Sequence, residues 1–220
     1  MKIVSIRPKK RRKREKANVA VYTVAFDVGE LRRHDSSYAK YCKELCEYSL
    51  NRNCSFQCNE LGEYGRLLHI WRQQGYLIAY FSNQIAALNT RWHLSVLEAI
   101  RHHQRLLNKI VDIIAKGDLN GFFIPLHNNP NKFVKWPDSK LKSHYRDEEI
   151  ENWIRIYAIR FIEEDTGKVN YIITGGAIKL VGVMSDYATI ENEERKQECV
   201  IKYLIDNNLT TRDCIEAVVL

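Results

Sequence analysis

Apolar and polar residues alternate with two different periods along this chain, and each period predicts one kind of element. From Val96 to Ile114, apolar residues recur at steps of three and four, and Gly117 follows, which predicts an amphipathic helix that ends near that glycine. The runs at 19–26 and 153–180 are instead rich in β-branched and aromatic residues, which favours strands. Helices and strands therefore occupy separate blocks of the sequence.

Shorter segments complete this outline. We expect two or three strands within 153–180, with a turn near Gly167 and a break at Gly175–Gly176. The segment YLIAYF at 76–81 fits either a strand or a continuing helix, and 121–150 predicts a long connection. Further helices, from apolar spacing and capping residues, are expected at 36–48, 61–74, 191–206 and briefly after 210. Together these elements predict an α+β fold with a small antiparallel sheet, an N-terminal strand and flanking helices.

Two arginines lie within the apolar run 153–162. Side chains five positions apart point to opposite faces of a regular strand, so Arg155 and Arg160 cannot both line one site unless a bulge intervenes. Arg160 shares its face with aliphatic residues, as a core face would. Arg155 shares its face with aromatic residues on which bases could stack: Trp153, Tyr157 and Phe161. Arg155 is therefore the candidate for binding an anion, and a solvated surface position is the alternative.

The charge of the chain is concentrated in one short tract. The net charge is +7, and residues 7–16 (RPKKRRKREK) hold eight cations and one anion, so the remainder is neutral. Such a run repels itself, which predicts a flexible basic arm over 1–18 ahead of a single domain at 19–220. We expect the arm to approach nucleic acid or the ribosome, or else to act only as a solubilising tail. The arm residues proposed to bind RNA are Lys9, Lys10, Arg11, Arg12, Lys13 and Arg14.

No apolar run approaches the ~20 residues that a membrane span requires. The basic N-terminus lacks the apolar core of a secretory signal, so we expect a cytoplasmic protein with reduced thiols. Four of the six cysteines, Cys42, Cys46, Cys54 and Cys58, have the spacing C-x3-C-x7-C-x3-C. They could bind a structural zinc ion, but x2 spacing is more typical of zinc sites, and free cysteines acting as small apolar residues are the expected reading. No cofactor is predicted.

The predicted elements follow one another as a strand, then helices, then a cluster of strands with a basic residue near its end. This order resembles the RelE/ParE superfamily of bacterial toxins, including its HigB-like members. The resemblance is carried by YTVAFD at 22–27, the helix at 94–115 and FFIPL at 122–126, and above all by WIRIYAIRF at 153–161 with YIITGGAIKL at 171–180. It implies a RelE-like fold with a small antiparallel sheet. Residues 46–84 would form an extra helical insertion in that fold.

The resemblance also implies a function. Members of the superfamily are endoribonucleases that cut messenger RNA, often on the ribosome, and each is neutralised by a cognate antitoxin; a sibling branch inhibits DNA gyrase. Cleavage without a metal uses the 2′-hydroxyl of the substrate as nucleophile, which requires cations at the phosphate and a group that moves a proton. The candidate catalytic residues are Arg155, Lys179, His144 and Tyr145, and the candidate RNA-binding residues beside them are Lys140, Lys142 and Arg146.

Two other functions remain open. The chain could be a nonenzymatic nucleic-acid-binding or regulatory protein that uses the basic arm as its main contact. It could also be an interaction module in which residues 46–84 recruit a partner. Fold alone does not choose among these functions.

Overall fold

The computed structural model describes residues 1–6, 19–25, 58–126, 140–144, 152–163, 165–180 and 188–216. Within these ranges the strands are β1 Lys2–Ile6, β2 Val19–Ala25, β3 Phe123–Pro125, β4 Lys140–Ser143, β5 Ile154–Ile162 and β6 Val169–Ile178. The helices are α1 Cys58–Trp71, α2 Gln74–Asn83, α3 Ile85–Ala87, α4 Val96–Lys116, α5 Ala188–Asp206 and α6 Arg212–Glu216. A π-helical turn, Leu88–Trp92, continues directly from α3.

The strands form one sheet in the order β1-β2-β6-β5-β4-β3. Every neighbouring pair is antiparallel except β2 and β6, which run parallel. Parallel pairing requires a long crossover, and the helices α1 to α4 all lie between β2 and β6 in sequence. The α+β class with a mostly antiparallel sheet is therefore confirmed.

The two faces of the sheet are covered by different helices. On one face α1, α2 and α4 pack against the sheet in a large core that includes Trp71, Phe81 and Ile156. On the other face α5 and α6 cover a smaller core that includes Ile159, Phe161 and Leu204. Because β5 supplies alternate residues to both cores, it lies in the middle layer of the molecule.

The helix predicted from Val96 onward is confirmed as α4, and its ends have local causes. Ser95 accepts a hydrogen bond from the backbone N–H of Glu98, while the Glu98 carboxylate accepts from the backbone N–H of Ser95 at 2.8 Å. Gly117 ends the helix with φ of 71°, a left-handed conformation that glycine adopts without strain.

The structure corrects some sequence predictions and decides between the alternatives of others. The arm predicted at 1–18 begins with an ordered strand, because residues 2–6 form β1 and pair with β2. Residues 7–18 lie outside the described residues. The ambiguous segment 76–81 is helical and belongs to α2. The described part of the predicted helical insertion, 58–84, is helical: it supplies α1 and α2, whose apolar faces are part of the larger core.

A further difference concerns Gly175–Gly176, which does not break the chain into two strands. β6 runs through both glycines, and the ladder with β5 shifts register there: Tyr157 pairs with Gly175, while Ala158 pairs with Ile173. Thr174 is the extra residue, so the bulge lies in β6 and the alternation of β5 is undisturbed. Glycine is needed at 176, because a Cβ atom there would lie 2.8 Å from the Trp71 ring.

Candidate anion-binding site

Three cations that the sequence analysis selected lie on one face at one end of the sheet. Lys142 of β4 pairs with Tyr157 of β5, and Arg155, two residues before Tyr157, pairs with Ala177 of β6. Lys179 follows Ala177 by two residues. Side chains at paired positions, and at positions two apart, point to the same side of a sheet. Lys142, Arg155 and Lys179 therefore share the face that α5 and α6 cover farther along.

The ladder extends past the end of β6 far enough to hold Lys179 in place. Its backbone N–H donates to the carbonyl oxygen of Trp153 at 2.7 Å, so the chain stays paired at this position. The side chains of Lys142, Arg155 and Lys179 are each half-buried. A half-buried cation is only partly hydrated, so an anion placed beside it is attracted more strongly than in open water.

A fourth cation, Arg91, comes from the π-helical turn. Burial lowers the pKa of Lys179, and the charges of Arg155, Lys142 and Arg91 lower it further. Burial also lowers the pKa of Arg155. Cations whose charges lower the pKa of Lys179 lie close to it. We call the set Arg91, Lys142, Arg155 and Lys179 the basic corner.

No carboxylate in the described part of the chain forms an ion pair with the basic corner. Arg155 uses one nitrogen, Nη1, to donate to the backbone carbonyl oxygens of Asn152 at 2.8 Å and Ile154 at 3.2 Å. These bonds orient the guanidinium without neutralising it. Its Nε and Nη2 atoms donate to no described residue, so they have the geometry to bind two oxygens of an anion.

The remaining predicted residues fall into two groups. His144 lies directly after β4, two residues beyond Lys142, where its backbone N–H donates to the carbonyl oxygen of Phe122 at 2.7 Å and its side chain is half-buried. Lys140 is described only as backbone, and pairs with Ile159. The predicted positions outside the described residues are Tyr145, Arg146 and, in the arm, Lys9, Lys10, Arg11, Arg12, Lys13 and Arg14.

Arg160 lies away from the basic corner, as strand alternation predicts. It pairs with Tyr171, and Tyr171 belongs to the larger core on the opposite face from Arg155. Burial raises the pKa of Tyr171, and the charge and hydrogen bond of Arg160 oppose that rise. Arg160 therefore has a structural partner, and the separation of the two arginines holds in three dimensions.

The prediction that aromatic residues beside Arg155 offer a stacking surface is wrong. Trp153, Tyr157 and Phe161 are 0%, 1% and 3% exposed. Trp153 precedes β5 and packs in the larger core, where its Nε1 donates to His103 Nδ1 at 3.3 Å. Because these rings are buried, none of them is available to a base, and the Arg155 side of β5 offers a nucleic acid only the Arg155 cation.

A second group of charges lies near the first but has a different composition. Glu63 and Arg66 of α1 meet Glu193 and Lys196 of α5, and all four side chains are buried; we call them the ion cluster. Arg66 donates to both carboxylate oxygens of Glu63, at 3.1 and 2.8 Å. Lys196 donates to Glu63 Oε2 at 3.0 Å and to Glu193 Oε1 at 2.6 Å. Two cations and two carboxylates make the cluster neutral.

The sheet explains how helices from its two faces come together. β2 and β6 are paired only as far as Thr23 and Ile173, and beyond this point the start of α1 lies against β2. Thr23 Oγ1 donates to the carbonyl oxygen of Ile173 and accepts from the backbone N–H of Tyr64, both at 3.0 Å. Gly62, with φ of 63°, allows this approach, because a Cβ atom there would meet the carbonyl oxygen of Val24 at 3.0 Å.

The two glutamates of the ion cluster have opposite pKa shifts. Burial would raise the pKa of Glu63, but the charges and hydrogen bonds of Arg66 and Lys196 lower it to about 2. Burial raises the pKa of Glu193; Lys196 opposes this rise and the charge of Glu63 adds to it. Glu193 Oε2 is buried and has no hydrogen-bond partner among the described residues. The two cations therefore stabilise the charged form of Glu63 more strongly than that of Glu193.

His103 is a core residue, as its position on the apolar stripe of α4 predicts. It is fully buried between the rings of Trp71 and Phe81, with centroid distances of 6.1 and 5.9 Å. Burial lowers its pKa to about 3, so the ring is neutral. Since it faces away from the basic corner, it takes no part in binding an anion.

The described residues contain no group of three or more His, Cys, Asp or Glu side chains arranged to hold a metal ion. Of the four predicted zinc ligands, Cys42, Cys46 and Cys54 lie outside the described residues, and Cys58 is described only as backbone at the start of α1. Across the same described ranges, no helix is both long and apolar enough to cross a membrane.

Comparison of the chain with protein-family models, with curated proteins and with solved structures finds no match in any of the three.

Arg91 is the residue of the basic corner that was not predicted from the sequence. Its neighbours in the sequence show no pattern that marks it, and only the folding of the π-helical turn against the end of β6 brings it near Lys179.

Proposed function

We propose that this chain binds RNA at the basic corner and cleaves it as the toxin component of a toxin–antitoxin pair, on a RelE-like version of its α+β fold. The observation that carries the proposal is the convergence of Lys142, Arg155 and Lys179 on one sheet face, without a carboxylate partner from the described residues. Stable proteins normally pair half-buried cations, and an unpaired group of them is the electrostatic requirement for a phosphate site.

The chemistry needs only groups of the types present there. The 2′-oxygen attacks the adjacent phosphorus, its proton passes to His144, and the bond from phosphorus to the 5′-oxygen breaks. The products are a 2′,3′-cyclic phosphate and a 5′-hydroxyl. Arg155 stabilises the extra negative charge on the phosphate oxygens, as a guanidinium can bind two of them at once. Lys179 donates the proton that the departing 5′-oxygen takes up, because its lowered pKa makes its ammonium a stronger acid.

The test is incubation of the purified chain with end-labelled single-stranded RNA in the presence of a chelator. We expect fragments that end in a cyclic phosphate for the natural chain, and strongly reduced cleavage for Arg155→Ala and for Lys179→Met. Arg105→Ala is the matched control, since Arg105 is an exposed cation on α4. Expression of the natural chain should arrest bacterial growth, and co-expression of a cognate antitoxin should relieve it. Intact RNA together with normal growth would refute the proposal.

The burial of the β5 aromatics favours a second candidate function. A nuclease must hold the bases on either side of the cut, and Tyr157 and Phe161 are too buried to stack on them. The alternative is a nonenzymatic RNA- or ribosome-binding protein in which the basic corner and the arm contact phosphates only. It predicts salt-sensitive binding that weakens when residues 7–16 are deleted, with no cleavage and no growth arrest.

A further inference from the structure

The π-helical turn Leu88–Trp92 has a conformation that is uncommon in proteins and is enriched at functional positions. His93 ends it in the left-handed region with φ of 51°, and its backbone N–H donates to the carbonyl oxygen of Leu88. Within the turn Leu88 is buried, while Arg91 is exposed to solvent. The turn therefore anchors one end in the core and presents a cation at the other.

Trp92 attaches this turn to the basic corner. Its Nε1 donates to the carbonyl oxygen of Leu180 at 2.7 Å, next to Lys179. Its ring packs edge-on against Trp153 with a centroid distance of 4.9 Å, and Trp153 is the residue whose carbonyl accepts from Lys179. The guanidinium of Arg91 lies over the Trp92 ring, 5.5 Å from its centroid. Packing on the ring orients the arginine while leaving its N–H groups available.

The four cations thus form two levels. Lys142, Arg155 and Lys179 are half-buried on the sheet, whereas Arg91 is exposed on the turn beside them. Each phosphodiester of a nucleic acid carries one negative charge, so one phosphate cannot balance four cations. A strand with several consecutive phosphates can, because it reaches both levels.

We propose that Arg91 is an outer phosphate subsite of the basic corner, and that the ligand is a single-stranded oligonucleotide whose consecutive phosphates span from the sheet to the π-helical turn. This inference rests on the proposed RNA binding and specifies its substrate class: a chain of nucleotides, not a mononucleotide or free phosphate. Single strands fit this description better than duplexes, because their flexible backbone can follow a site that steps from a half-buried to an exposed level.

The experiment measures equilibrium binding of two probes at several salt concentrations. One is a 2′-O-methyl oligouridine of roughly twelve nucleotides, within the usual range of single-strand sites. This probe lacks the 2′-hydroxyl proton and cannot be cleaved. The other is uridine monophosphate. The variants are Arg91→Ala, Arg91→Lys and Arg155→Ala, with Arg105→Ala as the control for loss of an exposed arginine.

Loss of one phosphate contact reduces the salt slope for a single strand by about 0.7 and weakens binding about fivefold at ~0.1 M salt. We expect this result for Arg91→Ala with the oligonucleotide, no change with the monophosphate, and retention of the slope in Arg91→Lys. Arg155→Ala should weaken both probes. Because Arg91 is exposed, its variants should melt at the same temperature as the natural chain.

The outcomes separate the two proposals. If Arg91→Ala behaves like Arg105→Ala while Arg155→Ala loses binding, the outer subsite is refuted and the proposed RNA binding stands. If Arg91→Ala weakens the monophosphate as much as the oligonucleotide, the division into two levels is refuted. If the natural chain binds neither probe, both proposals fail.

Discussion

The ion cluster and the basic corner both contain arginine and lysine side chains and lie in neighbouring parts of the fold, yet they differ in charge balance. In the ion cluster, Arg66 and Lys196 each contact a buried carboxylate, and the cluster is neutral. In the basic corner, four cations lie together with no ion-pair partner among the described residues. A buried charge must be compensated for the chain to fold, whereas a half-buried one can remain uncompensated until a ligand arrives. Charge balance therefore distinguishes a structural group from a candidate binding site.

The largest expected effect tests the structural side of this comparison. Glu63→Gln should destabilise the protein by about 3–5 kcal/mol, because Arg66 and Lys196 would remain buried without their shared carboxylate. The measurement is the free energy of unfolding in urea. Glu193→Gln is the matched variant and should cost clearly less, since among the described residues Glu193 accepts only from Lys196 and its other oxygen has no partner. Equal losses in the free energy of unfolding would show that the two carboxylates contribute equally to stability.

The next effect tests the functional side. Arg155→Ala should reduce RNA cleavage by about 10²-fold, the usual consequence of removing one group that stabilises a developing anion. Its free energy of unfolding should change by no more than about 1 kcal/mol, because the two carbonyls it contacts can bind water instead. If Arg155→Ala unfolded at clearly lower urea concentrations, lost stability would account for its lost activity. That result would contradict an anion-binding role for Arg155.

A substitution at the bulge tests how tightly the ion cluster is packed. A Cβ atom on Gly175 would overlap the Glu193 carboxylate and lie 3.1 Å from Lys196 Nζ. Gly175→Ala should therefore destabilise the protein by about 1–3 kcal/mol. Combined with Glu193→Ala, the same change should cost less than it does alone, because the overlap is removed. Simple additivity of the two substitutions would contradict this packing.

The pH dependence of stability separates the two glutamates. The pKa of Glu63 is about 2, below its unfolded value, so its contribution to stability is complete above the unfolded pKa and is lost as the pH falls towards 2. The pKa of Glu193 is raised, so protonation of Glu193 opposes that loss at the start of acidification. Urea unfolding at a series of pH values should therefore show a steeper acid loss in Glu193→Gln than in Glu63→Gln. The reverse order would contradict the conclusion that Glu63 is the more strongly stabilised carboxylate.

The smallest expected effect is a substitution at Lys179 that stabilises the protein slightly or leaves its stability unchanged. The lowered pKa of Lys179 means that its charge opposes folding at neutral pH, and this cost disappears as the pH rises through the folded pKa. Lys179→Met should therefore leave the melting temperature unchanged or slightly raised, most visibly at low salt, where repulsion among the cations is strongest. A marked fall in melting temperature would mean that Lys179 has a stabilising partner.

The local periodicity of the sequence predicted several elements of the fold. The steps of three and four between Val96 and Ile114 produce α4, and Gly117 ends it as the sequence predicts. Alternation along β5 separated Arg155 from Arg160 correctly, because the bulge fell in β6 and not in β5. The same alternation misled the aromatic prediction, since it says which face a ring is on and not whether a helix covers that face.

The sequence by itself determined the elements that depend on neighbours along the chain: the α4 helix and the β-rich stretches that contain Arg155 and Lys179. Lys142 was expected in a long connection, and only the structure places it in strand β4. Only the tertiary structure decided which charges meet. The ion cluster joins residues 63 and 193 because β2 and β6 part beyond Thr23, and Arg91 joins the basic corner because Trp92 bonds to Leu180. Such contacts depend on surfaces brought together by core packing across long sequence separations, and no local period encodes them.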